Sequence, residues 1–351
     1  MNYQYTNEFR LNLVEWFNKE KRDLPWRRTS DPYKIWVSEV MLQQTRVDTV
    51  IPYYNRFLEK YPTLQDLAFA PQEELLKMWE GLGYYSRARN LQAGVKEVVE
   101  KYNAVVPDNR HDISKLKGVG PYTAGAVLSI AYQKAEHAVD GNVMRVLSRV
   151  LHIEEDIALP KTRKVFEEAV EMLIDEQYPG DFNQALMDLG AMICTPTSPK
   201  CLLCPVRDYC IAFSEGDADK LPIKSKKVKT KKVQFKVFVA MNQEGQCLLE
   251  KRPSEGLLAD MWQFPMIEVT EKADSEEVFQ ENYNVQILNH IDKELLKFKH
   301  IFSHLTWELE CTQVQIEQKS ELPDAVQFLT IEQIKALPMP VPMLKILNVL
   351  N

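Results

Sequence analysis

The chain has 351 residues, 45% of them hydrophobic and 26% charged, a composition typical of a water-soluble protein of two or three domains. No apolar run approaches the roughly 18 residues of a membrane span, and the N-terminus lacks the apolar stretch of a signal peptide, so we expect a cytosolic protein with no membrane association. Lys and Arg number 43 against 50 Asp and Glu, which excludes a uniformly basic nucleic-acid binder, and the acidic excess lies after residue 236.

The first 213 residues carry a helical pattern. Apolar residues recur there at spacings of three and four, with few β-branched runs, so this half is predicted to be all-α. In the first of the predicted helices, Asp31 is a candidate N-cap and Pro32 occupies the first helical position. The predicted helices cover residues 31–45, 66–79, 86–101, 121–132, 142–151, 163–177 and 182–193.

The pattern changes after the last clustered cysteine. Residues 214–232 are polar and rich in lysine, which predicts an interdomain linker. From residue 233 the stretches VQFKVFVAM and QCLLEKR alternate as strands do, and a second alternating stretch covers residues 297–316. We therefore predict a separate α+β domain over residues 233–351 that ends in the short helix VPMLKILNVL.

Four of the six cysteines crowd into 17 residues: Cys194, Cys201, Cys204 and Cys210. In a cytosolic chain such a cluster indicates a metal site rather than disulfides. The gap of six residues after the first cysteine is too long for a zinc-ribbon knuckle and matches neither common ferredoxin spacing. Spacing alone leaves zinc and an iron-sulfur cluster both open.

The segment LKGVGPYTAGAVLSIAY predicts a helical hairpin. Gly118 and Gly120 flank one apolar residue, and Pro121 begins a helix of small residues. The glycines permit a tight turn with outward backbone N–H groups, and the helix adds the positive end of its dipole. This arrangement holds a phosphate without any lysine, so an acidic chain can still bind nucleic acid.

Two carboxylates have contrasting predicted environments. Asp140 precedes an apolar helix and is a candidate N-cap, where the dipole and amide donors would hold it ionised. Glu39 shares a helical face with Ile35 and Leu42, so partial burial would favour its protonated form. A neutral acid beside an ionised carboxylate is the division of labour in glycosidic-bond cleavage.

Six stretches occur in order: SEVMLQQTRV, WEGLGYYSRARNL, GVGPYTAGA, VDGNVMRVLSR, FNQALMDLGAMIC and the cysteine loop. Together they resemble the MutY family of bacterial adenine DNA glycosylases, within the helix-hairpin-helix-GPD and endonuclease III superfamily. The resemblance implies a multidomain protein with an all-α glycosylase core, an iron-sulfur loop and a C-terminal α+β Nudix-like domain. It divides the chain into a cluster domain of residues 1–29 and 138–213, a six-helix barrel domain of residues 30–137, the linker 214–232 and the Nudix-like domain 233–351.

The same resemblance implies an activity and its residues. A monomer would flip adenine, mispaired with 8-oxoguanine or guanine, out of double-stranded DNA and excise it. The catalytic residues would be Glu39, which protonates adenine N7 and positions water, Asp140, which stabilises the C1′ cation, Tyr122, which assists it, and Asn142, which supports Asp140. The adenine pocket would include Arg28, Trp26 and Gln184. Residues for the lesion and the DNA would be Gln43, Gln44, Tyr84, Gly118, Gly120, Phe302, Ser303 and His304, with Thr306 nearby. A [4Fe-4S] cluster would be held by Cys194, Cys201, Cys204 and Cys210.

Two differences from related enzymes make the expected activity more specific. Tyr122 stands where glycosylases that also act as lyases carry a lysine, and a phenol cannot form an imine, so we predict a monofunctional glycosylase. The C-terminal domain lacks the metal-binding box of Nudix hydrolases, so we predict no pyrophosphatase activity.

Three alternatives are weighed against this hypothesis. An endonuclease III-like glycosylase and lyase acting on oxidised pyrimidines is opposed by Tyr122 and by the C-terminal domain. A non-catalytic DNA-binding scaffold would not need Glu39, and a nucleotide-pool hydrolase would need the missing metal-binding box. The sequence leaves open the strength of the 8-oxoguanine preference, a redox role of the cluster, and contacts with repair or replication proteins. The expected location is the bacterial cytosol and nucleoid.

Overall fold

The computed structural model describes residues 3–225, 231–271 and 273–350. The chain forms two compact units, Met1–Phe69 with Asn90–Lys226, and Ala70–Arg89 with Lys227–Asn351. The first is helical and the second contains the sheet, as predicted for an all-α core followed by an α+β domain. No helix in the described part of the chain is long and apolar enough to cross a membrane.

The helices follow the chain in this order: α1 (Thr6–Glu20), α2 (Pro32–Leu42), α3 (Val47–Lys60), α4 (Leu64–Ala68), α5 (Gln72–Met78), α6 (Ser86–Lys101), α7 (Arg110–Ile113), α8 (Pro121–Tyr132), α9 (Gly141–Val150), α10 (Arg163–Leu173), α11 (Pro179–Met192), α12 (Ile211–Ser214), α13 (Ser275–Tyr283), α14 (Ile331–Ala336) and α15 (Val341–Leu347). Short 3-10 turns cover Pro25–Arg27, Pro160–Thr162, Cys201–Leu203 and Arg207–Tyr209.

Helix boundaries follow local chemistry. Asp31 caps α2 by accepting from the Tyr33 N–H at 2.9 Å, as predicted. The predicted helix 66–79 was wrong as a single element, because Pro71 separates α4 from α5. Proline restricts the residue before it and lacks the N–H that would continue the helix.

The first unit is organised around α1, α9, α10 and α11. Their apolar faces meet in one core that includes Phe9, Val146, Phe166 and Phe182, all with no exposed surface. This core presents the N-terminal end of α9 and the C-terminal end of α11, the two places from which the candidate site and the cysteine loop begin.

In the second unit, seven strands of the described residues form one sheet: β1 (Lys231–Met241), β2 (Cys247–Lys251), β3 (Trp262–Gln263), β4 (Met266–Glu268), β5 (Val285–Ile301), β6 (Leu305–Gln318) and β7 (Val326–Leu329). The order is β3-β2-β1-β6-β5, with β4 paired to β1 and β7 to β2. β1 and β6 run parallel, with Val237 opposite Cys311, and the other pairs are antiparallel.

Helices cover both faces of this sheet. Val237 and Val239 on one face pack with Met343 and Ile346 of α15, whereas Phe238 on the other face stacks on Phe279 of α13. Alternate residues of a strand point to opposite faces, so one strand serves both cores. Residues 226–230 of the predicted linker 214–232 lie outside the described residues, and its ends lie in α12 and β1.

The segment Ala70–Arg89 belongs to the sheet-containing unit, although the sequence analysis placed it in the helical barrel domain. Its side chains bond to the C-terminal half: Glu73 to Lys251 at 2.6 Å, and Arg89 to the Ala259 carbonyl at 2.8 Å. Such pairings between residues far apart in the chain have no signature in local sequence patterns. The finer boundaries at residues 29/30 and 137/138 stay a prediction.

Candidate active site and nucleic-acid interface

Glu39 is a buried carboxyl group on α2, with 6% of its surface exposed. Burial raises its pKa to about 7, reinforced by the nearby charge of Asp140 and opposed by the Tyr122 hydrogen bond and by Arg27. Burial acts in this direction because a low dielectric disfavours the charged form. Glu39 therefore keeps a large protonated fraction at neutral pH and is suited to act as a general acid.

Tyr122 reaches Glu39 from the start of α8. Its phenol O–H donates to Glu39 Oε2 at 2.5 Å, and burial raises the phenol's pKa well above its ordinary value. The phenol thus stays a neutral donor. A neutral donor can orient the carboxyl group and partly offset the effect of burial on it.

Asp140 caps α9 and lies in the same electrostatic environment as Glu39. Its Oδ1 accepts from the Val143 N–H at 2.7 Å and its Oδ2 accepts from Asn142 Nδ2 at 3.0 Å, which places Asn142 as its predicted supporting residue. Burial raises the pKa of Asp140, while these two donors and the charge of Arg145 lower it. The net shift is upward, contrary to the expectation from capping alone, because burial outweighs the donors.

A continuous hydrogen-bond path runs from Asp140 to the cysteine loop. Asn142 Oδ1 accepts from the guanidinium of Arg145 at 2.8 Å, and that guanidinium also donates to the Cys194 carbonyl at 2.8 Å. Arg145 is 9% exposed, so these bonds lie in the protein interior. Arg145 is not among the predicted site residues, although its place five residues after a capping aspartate on an apolar helix was a usable signal.

The predicted adenine-pocket residues occupy different places. Trp26 is buried with its ring edge-on to Tyr54, their centroids 5.4 Å apart. Arg28 and Gln184 line the same open hollow of about 330 Å³, but Arg28 is largely exposed and pairs with Asp23. The hollow is wide enough that sharing its wall does not bring Arg28 into hydrogen-bond contact with Gln184.

Arg27, which the sequence analysis passed over, is the arginine bonded to Gln184. Its Nε donates to Gln184 Oε1 at 3.1 Å, and its guanidinium pairs with the buried Asp188 at 2.8 Å. The 3-10 turn Pro25–Arg27 directs this side chain inward and leaves Arg28 outside. Arg27 also lowers the pKa of Glu39, which links it to the candidate active site.

The glycines of the helical hairpin differ in what they permit. Gly118 has φ +77°, and a Cβ there would lie 2.7 Å from Asn90 Cβ, so only glycine fits this turn. Gly120 has φ −88° and caps α8, and nothing within 4 Å would obstruct a Cβ. The free space at Gly120 lets another molecule approach the first N–H groups of α8, as a phosphate site requires.

Gln43 and Gln44 directly follow α2, which ends at Leu42. Gln43 Nε2 donates to Thr123 Oγ1 at 3.4 Å, and Gln44 is exposed with φ +58°. A left-handed backbone is uncommon for a residue with a side chain and often marks a functional position. Gln44 is therefore presented outward at the edge of the helical unit.

In the second unit, Tyr84 lies beside the predicted recognition hairpin. Phe302, Ser303 and His304 connect β5 to β6, and the Phe302 ring packs edge-on against Trp307, with Thr306 buried behind it. Tyr84 has φ +48°, is 44% exposed, and places its hydroxyl 3.5 Å from Ser303 Oγ. These two segments line one cavity of about 390 Å³.

The four clustered cysteines line a single cavity with apolar walls that include Val146, Leu189 and Phe213. Burial raises the pKa of Cys204 to about 12 and that of Cys210 to about 11, so without a cation these thiols stay protonated. Arg149 donates to Cys194 Sγ at 3.2 Å and to the Thr195 carbonyl at 2.8 Å. Four sulfur donors that line one apolar cavity together with two arginines, Arg149 and Arg207, fit a thiolate-bound metal centre.

Comparisons with known proteins agree with this arrangement. Residues 37–173 match the family described as "HhH-GPD superfamily base excision DNA repair protein", residues 194–210 match "Iron-sulfur binding domain of endonuclease III", and residues 236–349 match "NUDIX domain". The second match assigns an iron-sulfur cluster, rather than zinc, to the cysteine loop.

Among curated relatives, the mouse adenine DNA glycosylase is 36% identical over 93% of this chain and 74% of its own length, and the human protein is 35% identical over 97% and 73%. The Arabidopsis thaliana protein is 39% identical over 86% of this chain, which spans 56% of that relative's length.

Two solved structures share the fold of the helical part. A thermostable thymine-DNA glycosylase is 33% identical with a TM-score of 0.55 and covers 60% of this chain and 100% of its own. A trapped endonuclease III–DNA covalent intermediate is 27% identical with a TM-score of 0.53 and covers 62% and 99%. The chain therefore belongs to the adenine DNA glycosylase family of base excision DNA repair enzymes.

Proposed function

We propose that this enzyme hydrolyses the N-glycosidic bond of adenine mispaired with 8-oxoguanine or guanine, as a monofunctional glycosylase. The observation that carries the proposal is the buried Glu39 with its raised pKa. Glu39 is hydrogen-bonded to Tyr122, and the charge of Asp140 contributes to raising its pKa. Such a pairing of an acid with a second carboxylate serves glycosidic-bond cleavage.

The leaving group requires a proton. Protonated Glu39 donates to N7 of a flipped adenine, which withdraws electrons from the bond between C1′ and N9. That bond breaks with its electron pair on the base, leaving an oxocarbenium-like cation on the sugar. The Glu39 carboxylate then positions a water molecule and takes its proton as the oxygen adds to C1′, which restores the acid.

Asp140 supplies the negative charge opposite this cation. Its hydrogen bonds to Val143 and Asn142 fix its orientation before substrate binds, so little reorganisation accompanies the reaction. Tyr122 cannot form an imine with the sugar, and strand cleavage by β-elimination is therefore not expected.

Adenine specificity is assigned to Trp26 and Gln184. Trp26 offers a buried apolar ring, and Gln184, which lines the hollow and is held by Arg27, presents an amide that can pair with the hydrogen-bonding edge of the base. Arg28 lies on the outer wall of the same hollow, where it can meet the DNA backbone.

Recognition of the opposite base is assigned to the hairpin Phe302–His304 with Tyr84. An exposed serine hydroxyl can accept from the N7–H that 8-oxoguanine has and guanine lacks. Gln44 and Tyr84 are each assigned to insert into the base stack around the 8-oxoguanine, Gln43 is assigned to the same DNA contact, and the N–H groups at Gly118 and Gly120 hold a phosphate. Double-stranded DNA containing such a mispair is the partner, and one chain supplies every catalytic group. The enzyme would act as a monomer on the chromosome in the bacterial cytoplasm.

The cysteine loop is assigned a [4Fe-4S] cluster, held by Cys194, Cys201, Cys204 and Cys210. Once bound, the cluster would supply the cations that keep the four thiolates ionised and would crosslink the loop. The chain's own contribution is to seat this loop: Arg149 bonds to its first cysteine, and Arg145 joins it to Asn142.

The test is base release by the purified holoenzyme from a duplex with one adenine opposite 8-oxoguanine, scored with and without alkali. Strand breaks that appear mainly after alkali support a monofunctional glycosylase. Breaks without alkali would show a lyase, and no release would leave only a DNA-binding scaffold. A matched duplex with guanine in place of 8-oxoguanine measures opposite-base preference.

A further inference from the structure

The cavity beside Ser303 is lined by four segments that are distant in sequence, among them residues 256–258 and the hairpin residues 300–304. One wall is Gly83–Ser86, which contains Tyr84, and another is Pro340–Pro342 at the start of α15. Tyr84 holds a left-handed backbone, a strained conformation that persists only where the surrounding structure enforces it. The position of Tyr84 against Ser303 therefore depends on what anchors the segment before it.

Trp79 and Arg87 hold this segment locally, each donating to the Gly83 carbonyl at 3.2 Å, and Glu80 anchors it to a distant part of the chain. Its Oε1 accepts from the Met339 N–H at 2.9 Å, and its Oε2 accepts from Lys77 Nζ at 2.9 Å. Lys77 also donates to the Leu337 carbonyl at 3.1 Å. Glu80 and Lys77 together thus bind both ends of the short stretch Leu337–Met339.

The chain leaves Met339 few other partners. Prolines on both sides of it have no N–H, so Met339 contributes the one backbone donor of residues 338–340. Met339 is fully buried and Glu80 has only 17% of its side chain exposed. Loss of the Glu80 carboxylate leaves a buried N–H without its acceptor, which is costly to the local structure.

The Glu80 linkage joins the chain just before one wall of the cavity to the chain just before another. Residue 339 precedes the wall Pro340–Pro342 by one position, and Glu80 precedes Gly83–Tyr84 by three. Further bonds fix the ends of the same segment, from Glu73 to Lys251 and Trp262 and from Arg89 to the Ala259 carbonyl. The linkage at Glu80 is the one nearest Tyr84 among these.

We propose that Glu80 is a positioning residue for opposite-base recognition. Through Met339 and Lys77 it keeps the Tyr84 hydroxyl beside the Ser303 hydroxyl. This inference rests on the proposed function. It assigns to a residue that touches neither the base nor the sugar a share of the preference for 8-oxoguanine over guanine. Glu80 acts through the cavity wall and not on the chemistry at Glu39.

The experiment uses full-length holoenzyme and single-turnover excision of adenine opposite 8-oxoguanine and opposite guanine. We expect Glu80→Ala to lower the ratio of the two rates by about tenfold, the effect of one hydrogen bond worth about 1.4 kcal/mol. Glu80→Gln keeps an oxygen for the Met339 N–H and is expected to restore most of the ratio. Glu100→Ala, which removes an exposed glutamate paired with Lys96, is the matched control and should leave both rates unchanged.

Coupling to Ser303 separates positioning from general destabilisation. Ser303→Ala should lower the ratio in the native background and add little in the Glu80→Ala background, because both act on the same contact. Additive effects, or an unchanged ratio in folded Glu80→Ala, would overturn the proposal. If Glu80→Ala does not fold, Lys77→Met carries the same test, since it breaks the linkage at the Leu337 carbonyl.

Failure of the inference is distinguishable from failure of the proposed function. A native enzyme that releases no adenine from either duplex contradicts the function itself. A native enzyme that prefers 8-oxoguanine, and keeps that preference without Glu80, contradicts only the positioning role.

Discussion

At the scale of single residues, Glu39 and Asp140 are two carboxyl groups with different hydrogen-bond donors. Glu39 has one neutral donor, the Tyr122 phenol, whereas Asp140 has two N–H donors and the charge of Arg145 nearby. Burial raises the pKa of both, but the donors oppose it more effectively at Asp140. The two carboxyl groups therefore differ in their hydrogen-bond donors and in the charges beside them, and the proposed roles of acid and anion rest on this difference.

The first prediction concerns the acid. Glu39→Gln should reduce adenine release by about 10³-fold or more, because general acid catalysis of this kind contributes typically 10² to 10⁴ and the same group positions water. In the native enzyme, the single-turnover rate should fall as pH rises above about 7, where Glu39 loses its proton. Gel-shift binding to the same duplex should be retained in the variant, and equal loss of binding and release would contradict an acid role.

A second prediction concerns stability. Because the folded state holds the Glu39 proton up to a pKa of about 7 and an unfolded glutamate releases it near 4.5, the native state binds more protons between these values, and stability falls as pH rises through that window. Glutamine has no proton to lose. Between pH 4 and pH 8, the free energy of unfolding of Glu39→Gln should therefore rise by up to about 3 kcal/mol relative to that of the native enzyme.

Denaturant unfolding at the two pH values measures this difference. Glu100→Ala is a suitable control, since its side chain is half exposed and belongs to a surface pair. A variant whose free energy of unfolding follows the native pH dependence would show that the carboxyl group is not buried in the way described.

At the scale of elements, the helix-hairpin-helix offers a paired test of structure against binding. Gly118→Ala should cost about 1–2 kcal/mol in stability, because L-residues are strained at φ +77° and the added Cβ meets Asn90. Gly120→Ala should fold normally, since φ is −88° and the space is open, yet weaken DNA binding by about tenfold, the effect of one obstructed phosphate contact.

Thermal unfolding and equilibrium binding separate the two outcomes. Equal stability losses for both variants would mean that Gly120, too, serves the turn. Unchanged DNA affinity of a folded Gly120→Ala would remove this hairpin end from the nucleic-acid interface.

Elements with strong local signals were predicted well. The helices over residues 86–101 and 121–132 match α6 and α8, because each has a clear apolar period and a defined start. The interruption at Pro71 was missed because apolar spacing continues across it. The hairpin between β5 and β6 was anticipated only through the family resemblance, since the alternation runs through the turn.

Part of the candidate site follows from sequence patterns, because Tyr122 and Asp140 stand at two helix starts and Glu39 in a helix interior. The structure brings the Tyr122 hydroxyl to Glu39, and the catalytic roles of the three residues stay a prediction. Arg27 was missed because a 3-10 turn decides which of two adjacent arginines points inward, and no periodicity records that choice. The hydrogen bond from the Met339 N–H to Glu80 joins residues 259 positions apart, so no local sequence pattern predicts it.

At the scale of the whole molecule, the cysteine loop closes the helical unit. Cys204→Ser should abolish iron binding, and the native protein should contain four iron and four sulfide ions per chain. Cys204→Ser should also lower the free energy of unfolding of the helical unit. A decrease of about 3 kcal/mol corresponds to a fall in Tm on the order of 5–10 °C for a unit of this size. Cys247→Ala removes a buried thiol of the sheet and should keep the iron content, and a native ratio other than four would contradict the proposed cluster.

Charge distribution gives the last prediction. The chain carries a formal charge of −7, and its C-terminal part is strongly acidic, so binding to DNA cannot depend on a broad basic surface. Neutral N–H groups at helix ends hold phosphates without bringing cations, and they displace few counterions. A plot of log affinity against log salt concentration should therefore have a slope no steeper than about −4, which corresponds to about four neutralised phosphates. A slope near −8 would instead require an extended basic interface, and the hairpin amides would then be secondary to lysine and arginine contacts.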